Sequence, residues 1–122
     1  TNGIGFGSTE FIVLRPNKSI ISKWLYLVIS SDIFLKSGKK VMTGSAGQKR
    51  LPVKFLQNYE VPVPPIEEQK RIVAKLDAVF EKIDECIVLI SGEFKERYNN
   101  SLLDYLVGLK ESLLEDAFRG KL

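Results

Sequence analysis

Lys39 and Lys40 lie just ahead of the run Gly44-Ser45-Ala46-Gly47-Gln48, and Lys49 and Arg50 follow it directly. Glycines let a backbone approach a ligand closely, and free backbone N–H groups, Ser45, Gln48, Lys49 and Arg50 are all hydrogen-bond donors. That combination suits a phosphate or another anion. Gln48 and Arg50 also have the bidentate shape that reads adenine and guanine edges respectively. The residue types alone give an anion-binding loop and do not name the anion. The plainer readings are a charge pair at a helix C-terminus for Lys39 and Lys40, and a solvated basic loop for the whole stretch.

The other candidate motifs fail on spacing. Gly3-Ile4-Gly5-Phe6-Gly7-Ser8 lacks the third glycine of a dinucleotide fingerprint at its proper offset, and it precedes a strand-like run rather than a helix. The run at 44–50 is not a nucleoside-triphosphate loop, because no Ser or Thr follows Lys49. Glu67-Glu68 and Asp84-Glu85 are adjacent pairs whose side chains diverge on a helix, so they read as solvated charge and not as a general acid and base. The chain has no histidine and one cysteine, Cys86. A Ser-His-Asp triad, a Cys-His dyad, an intrachain disulfide and a histidine metal site are therefore excluded within it. No catalytic residue and no metal ligand is expected, and an enzyme is the least supported class.

The net charge of +3 is unevenly spread. Residues 36–54 hold Lys36, Lys39, Lys40, Lys49, Arg50 and Lys54 with no acid, whereas acids outnumber bases across residues 66–122. A polyanion would be drawn to the first stretch and not to the second.

The elements that must position this stretch read as α+β. A chain of 122 residues, 44% hydrophobic and 27% charged, is one soluble globular domain or part of one. No apolar run reaches the roughly 18–20 residues of a membrane span, the first residues do not form a signal peptide, and a reducing, cytoplasmic setting is expected. The first half reads as a small mixed α/β unit. Glu10–Leu14 is strand-like, Lys23–Leu35 is a helix capped by Ser19 or Ser22, and Gly38–Arg50 is a loop. Pro52–Gln57 is a turn or short helix, and Asn58–Val63 is strand-like before Pro64 and Pro65.

The second half reads as helix. Pro65 followed by Glu67 and Glu68 marks a helix start. Val73, Phe80, Ile87 and Phe94 then alternate with Leu76, Ile83 and Ile90 as the two seam positions of a coiled coil. The pattern breaks near 97–101 and resumes in a shifted register at Leu102, Leu106, Leu109 and Leu113. One long, locally irregular helix of about fifty residues, about 75 Å long, is the expected form. A hairpin turning at Asn99-Asn100 is the alternative. A long helix would outreach the first half, so its seam would need a second chain.

Val61–Asp77 resembles the signature of type I restriction–modification specificity subunits, a "PLPP-x-x-EQ-x-x-IV" segment that joins a recognition domain to a long helix. Gly7-Ser8-Thr9-Glu10-Phe11 is similar to the family's "G-S-T-E-F" strand, and Gly47–Leu51 to its "G-Q-x-x-I" element. Leu113–Leu122 resembles the "L-L-x-x-A-F-x-G-x-L" end of the conserved helix. The pieces stand in family order and together cover essentially the whole chain.

The resemblance implies a non-catalytic subunit. It would read a bipartite sequence in double-stranded DNA, hold two recognition domains apart on antiparallel spacer helices, and dock methyltransferase and restriction subunits. S-adenosylmethionine, ATP and magnesium would belong to those partners, with no cofactor in this chain. Residues 1–65 would be the distal part of a recognition domain and 66–122 the spacer helix. The family unit is longer, so a fragment is expected, exposing core surface and rebuilding the spacer as an antiparallel homodimer. Lys36, Lys39, Lys40, Ser45, Gly47, Gln48, Lys49, Arg50 and Lys54 are the candidate DNA contacts. Val73, Leu76, Phe80, Ile83, Ile87, Ile90, Phe94, Leu102, Leu106 and Leu109 are the candidate dimer interface. Leu76 or Phe80 is expected to pack on the first half instead. Glu67, Glu68, Gln69 and Arg71 either dock a methyltransferase subunit or fix the linker. The competing class is a coiled-coil interaction module with no DNA binding of its own.

Overall fold

In a computed structural model, residues 7–8, 11–44, 49–93 and 100–122 are described. Five helices follow in chain order: α1 Ser22–Ser30, α2 Asp32–Val41, α3 Val53–Asn58, α4 Ile66–Glu93 and α5 Asn100–Phe118. The expected α+β class is overturned. Among the described residues the one β-type pairing is an isolated antiparallel bridge between Thr43 and Arg50, and there is no sheet. Among the described residues, Phe11–Leu14 and Tyr59–Val63 belong to no helix or strand. Their β-branched and aromatic residues favour an extended backbone, but a strand also needs a neighbour for its N–H and C=O groups.

The expected helix over 23–35 is broken at Ser31. Its hydroxyl donates to Val28 O at 2.7 Å and accepts from Phe34 N at 3.4 Å, capping α2. A carboxylate from α5, Glu111 Oε2, accepts a second α2 amide, Asp32 N, at 3.0 Å. Asp32 in the first turn and Lys39 and Lys40 in the last complement the dipole of α2. Neither Ser19 nor Ser22 caps α1; Ile21 occupies the N-cap position with no side-chain bond of its own.

The second correction concerns the long helix. α4 begins at Ile66 with Glu67 and Glu68 in its first turn, as its sequence predicts. α5 does not continue it outward. It folds back along α4, so that Lys110 Nζ meets Asp84 Oδ1 at 2.5 Å and Arg71 Nη2 meets Leu122 O at 2.5 Å, an antiparallel hairpin. The C-terminal end of α5 closes on Gly120 at φ 73, which lets Gly120 N reach Ala117 O at 3.1 Å and Lys121 N reach Asp116 O at 2.8 Å. Folding back covers apolar surface that a lone helix would leave wet.

The core lies where α1 meets this hairpin. Trp24, Leu27 and Val28 from α1 pack with Ile72, Val73 and Leu76 from α4 and Leu114 and Ala117 from α5. Trp24 is 1% exposed, its ring stands edge-on to Phe118 at 5.5 Å, and its Nε1 donates to Pro62 O at 2.8 Å. A second cluster, Phe34, Phe55 and Tyr59, joins α2 to α3 at centroid distances of 4.9–5.7 Å.

Candidate nucleic-acid interface

The basic residues are brought together by the turn between α2 and α3. Thr43 N donates to Arg50 O at 3.1 Å and Arg50 N donates to Thr43 O at 2.9 Å. This reciprocal pair closes the neck of the loop, so Lys49 and Arg50 return beside the end of the helix that carries Lys39 and Lys40. Gly44, at φ 141, supplies a backbone angle that other residues rarely adopt just inside the neck. Thr43 was not among the expected residues. Its signal was its place opposite Arg50 across a glycine-bearing loop.

The neck is held against the body by close packing. A Cβ on Gly38 would stand 3.3 Å from Leu51 Cδ1 and 3.7 Å from Phe55 Cε1, so the glycine lets α2 approach the segment leading out of the loop. Phe34, Phe55 and Tyr59 complete that contact. Beside the neck an open groove of about 990 Å³ has an apolar floor that includes Leu14, Ile29, Phe34 and Leu51, with Lys49 and Arg50 on its lining.

Lys39, Lys40, Lys49, Arg50 and Lys54 are all exposed. Among the described residues Lys39, Lys40, Lys49 and Lys54 form no ion pair. Lys36 differs: its Nζ lies 2.6 Å from Asp32 Oδ2 one helical turn away. Hydrogen bonding to Asp32, and then the carboxylate's charge, raise the Lys36 pKa above its ordinary value. Its charge is locally shared, which weakens it as a phosphate contact. Ser45, Gly47 and Gln48 lie outside the described residues, as does Phe94.

The expected seam residues are used inside the chain. Val73, Leu76 and Ile83 are buried. Leu76 lies in the same cluster as Trp24, and Phe80 packs against it. Ile87, Ile90, Leu106 and Leu109 are half-buried and Leu102 is exposed. Ile72, Leu114 and Ala117 are core residues that the heptad reading left out.

The signature residues have structural partners. Glu68 and Arg71 form a two-point pair at 2.6 and 2.8 Å. Arg71 holds the Glu68 carboxyl below its ordinary pKa through that hydrogen bond, and its own pKa is raised in turn. Glu67 pairs with Lys70 at 2.9 Å. Gln69 is fully buried and hydrogen-bonded to the backbone of the linker and of the turn before α1. Lys23 on α1 reaches Asp77 on α4 at 3.1 Å.

The family model for the type I restriction modification DNA specificity domain matches residues 2–87. The chain belongs to this family. Its match runs from the N-terminal stretch through the basic loop and the linker into α4. The chain is 48% identical to the EcoAI type I restriction enzyme specificity subunit of Escherichia coli over 85 residues, 69% of this chain and 14% of that protein. It is 43% identical to the EcoEI specificity subunit of the same species over 84 residues, again 14% of that protein. The EcoKI specificity subunit of strain K12 aligns over 93% of this chain at 26% identity, covering 22% of its own length. The chain thus spans about a seventh of the length of the first two relatives. No solved structure matches it. Among the described residues no cluster of His, Cys, Asp or Glu suits a metal ion, and no helix is long and apolar enough to cross a membrane.

Proposed function

We propose that this type I specificity domain is a non-catalytic DNA-recognition and scaffold element that contacts double-stranded DNA through the basic arc around the Thr43–Arg50 neck. The observation that supports it is the gathering of Lys39, Lys40, Lys49 and Arg50 at one bridged turn beside α2, in a chain of this family. Phosphate contacts from such residues set affinity and register. Lys54 and Lys36 are outer contacts, and Ser45, Gly47 and Gln48 are further candidate contacts.

The hairpin serves as the spacer. Its outer surface, with Val88, Leu89, Tyr105 and Val107 exposed, docks methyltransferase subunits or a second copy of this chain, giving the homodimer, and restriction subunits join the assembly. S-adenosylmethionine, ATP and magnesium act in those partners, and the setting is cytoplasmic. The experiment is fluorescence anisotropy with a short labelled duplex for the unmodified chain and for Lys40→Glu with Lys49→Glu. Duplex affinity falls and the salt slope drops by about 0.9 for each contact removed. Unchanged affinity and slope would remove the arc from the interface. A chain that binds no duplex at low salt would be a helical interaction module instead.

A further inference from the structure

Gln69 stands at the junction of the two halves and is 0% exposed. Its Nε2 donates to Pro64 O at 2.7 Å and to Ser19 O at 2.8 Å, and its Oε1 accepts from Ile21 N at 3.0 Å. A primary amide has two donors, so both are used. The three partners belong to two segments, the proline linker that enters α4 and the turn that leads into α1. No buried side-chain polar atom among the described residues lacks a partner.

The chemistry at this position is narrow. Asparagine has the same amide but is one methylene too short to keep all three bonds from the same helix position. Glutamate can accept from Ile21 but cannot donate twice. Leucine or methionine fills the space and leaves three part-buried backbone groups without their side-chain partner. A buried amide that meets three backbone groups in fixed directions sets orientation as well as adding stability. Trp24 Nε1 on Pro62 O at 2.8 Å is a second strut on the same linker, and Lys23–Asp77 ties α1 to α4 from outside.

We propose that Gln69 is a positioning residue: its amide locks the recognition half to the hairpin, so that the direction in which the basic arc faces DNA is fixed relative to the spacer. This deepens the function proposed above and rests on it only for what is being aimed. The lock itself is a property of the chain alone.

The test uses the full chain with spin labels on the native Cys86, exposed on α4, and on Gln57→Cys, exposed on α3. Pulsed dipolar spectroscopy reads the distance distribution between the halves. The parent gives one narrow peak. Gln69→Met loses that narrow peak while its helical circular dichroism stays unchanged. A residue that only added stability would leave the peak narrow below the melting temperature, and that result would overturn the proposal. Should Gln69→Met fail to fold, hydrogen exchange at the Ile21 amide of the unmodified chain decides the matter. Protection matching the Leu76 amide in α4 supports the lock, and exchange as fast as at Lys18 in the preceding exposed turn overturns it. Duplex binding by the same labelled chains separates the two ideas. A lost peak in a chain that binds no DNA keeps the lock and removes the recognition role; DNA binding with an unchanged peak does the reverse.

Discussion

Leu76→Ala and Leu114→Ala, made singly and together, ask whether the hairpin closes within one chain. Leu76 is 1% exposed and Leu114 is 5% exposed, and both belong to the cluster around Trp24. Each truncation removes a buried isobutyl group and leaves a cavity, a loss of about 2–5 kcal/mol. In the hairpin both residues sit in one core cluster, so the effects are not additive and couple by about 0.5–3 kcal/mol. In one continuous helix the two residues would stand about 57 Å apart at 1.5 Å per residue, and no intrachain coupling would survive. Urea unfolding followed by circular dichroism at several protein concentrations gives the cycle. Where the double variant lacks a folded baseline, Leu114→Val replaces Leu114→Ala. The expected result is a coupling that does not change with concentration. Strict additivity, or a coupling that appears only as concentration rises, would refute the fold-back and return the seam to a second chain.

Other expectations follow from single sites. Gly108 lies inside α5 with open space where a Cβ would go, so Gly108→Ala raises the stability of the chain by about 0.5–1 kcal/mol in chemical denaturation. The Glu68 carboxyl is held below its ordinary pKa by Arg71. Its stabilising contribution is therefore present above the unfolded pKa and lost as pH falls through the lower folded value. Thermal melts of the parent and Glu68→Gln differ slightly at neutral pH and converge in acid; a difference that persists in acid would contradict the pair. Lys36 has the opposite sign: its folded pKa is raised, so the contribution of its pair with Asp32 is intact below the unfolded pKa and fades as pH rises through the folded one. Both groups are exposed, so both effects are small. Trp24→Ala removes the largest core side chain together with its bond to Pro62 O, and costs about 3–5 kcal/mol, read as a fall in the urea midpoint.

The start of α4 was legible because its signals are local: Pro65 ahead of two acids, then an apolar spacing that continues for several turns. The short helix after Pro52 was legible for the same reason. The break at Ser31 was not, because serine within an apolar run reads as a tolerated helix residue until Glu111 of α5 arrives to hold the new N-terminus. The strand expectation failed because Phe11–Leu14 and Tyr59–Val63 have strand-like composition but no ladder partner among the described residues. The hairpin has no local signal, because no glycine or proline falls within 93–107. What decides it is tertiary, the meeting of Leu114 and Ala117 with Trp24 and Leu76 across most of the chain's length. At the candidate interface the lysines and Arg50 were visible as a charge cluster, whereas the neck that gathers them depends on a backbone pairing that no residue type announces. Gln69 was visible as part of a motif. Its burial, which gives it a physical role, was not.

The central claim is that the arc of Lys39, Lys40, Lys49 and Arg50 meets the phosphates of duplex DNA. The most direct measurement is the duplex affinity of the unmodified chain across a series of salt concentrations. The four inner phosphate contacts alone predict that log K falls against log salt with a slope of about −3.6, and the outer contacts Lys36 and Lys54 steepen it. A slope near zero, or no binding at the lowest salt, would contradict the account.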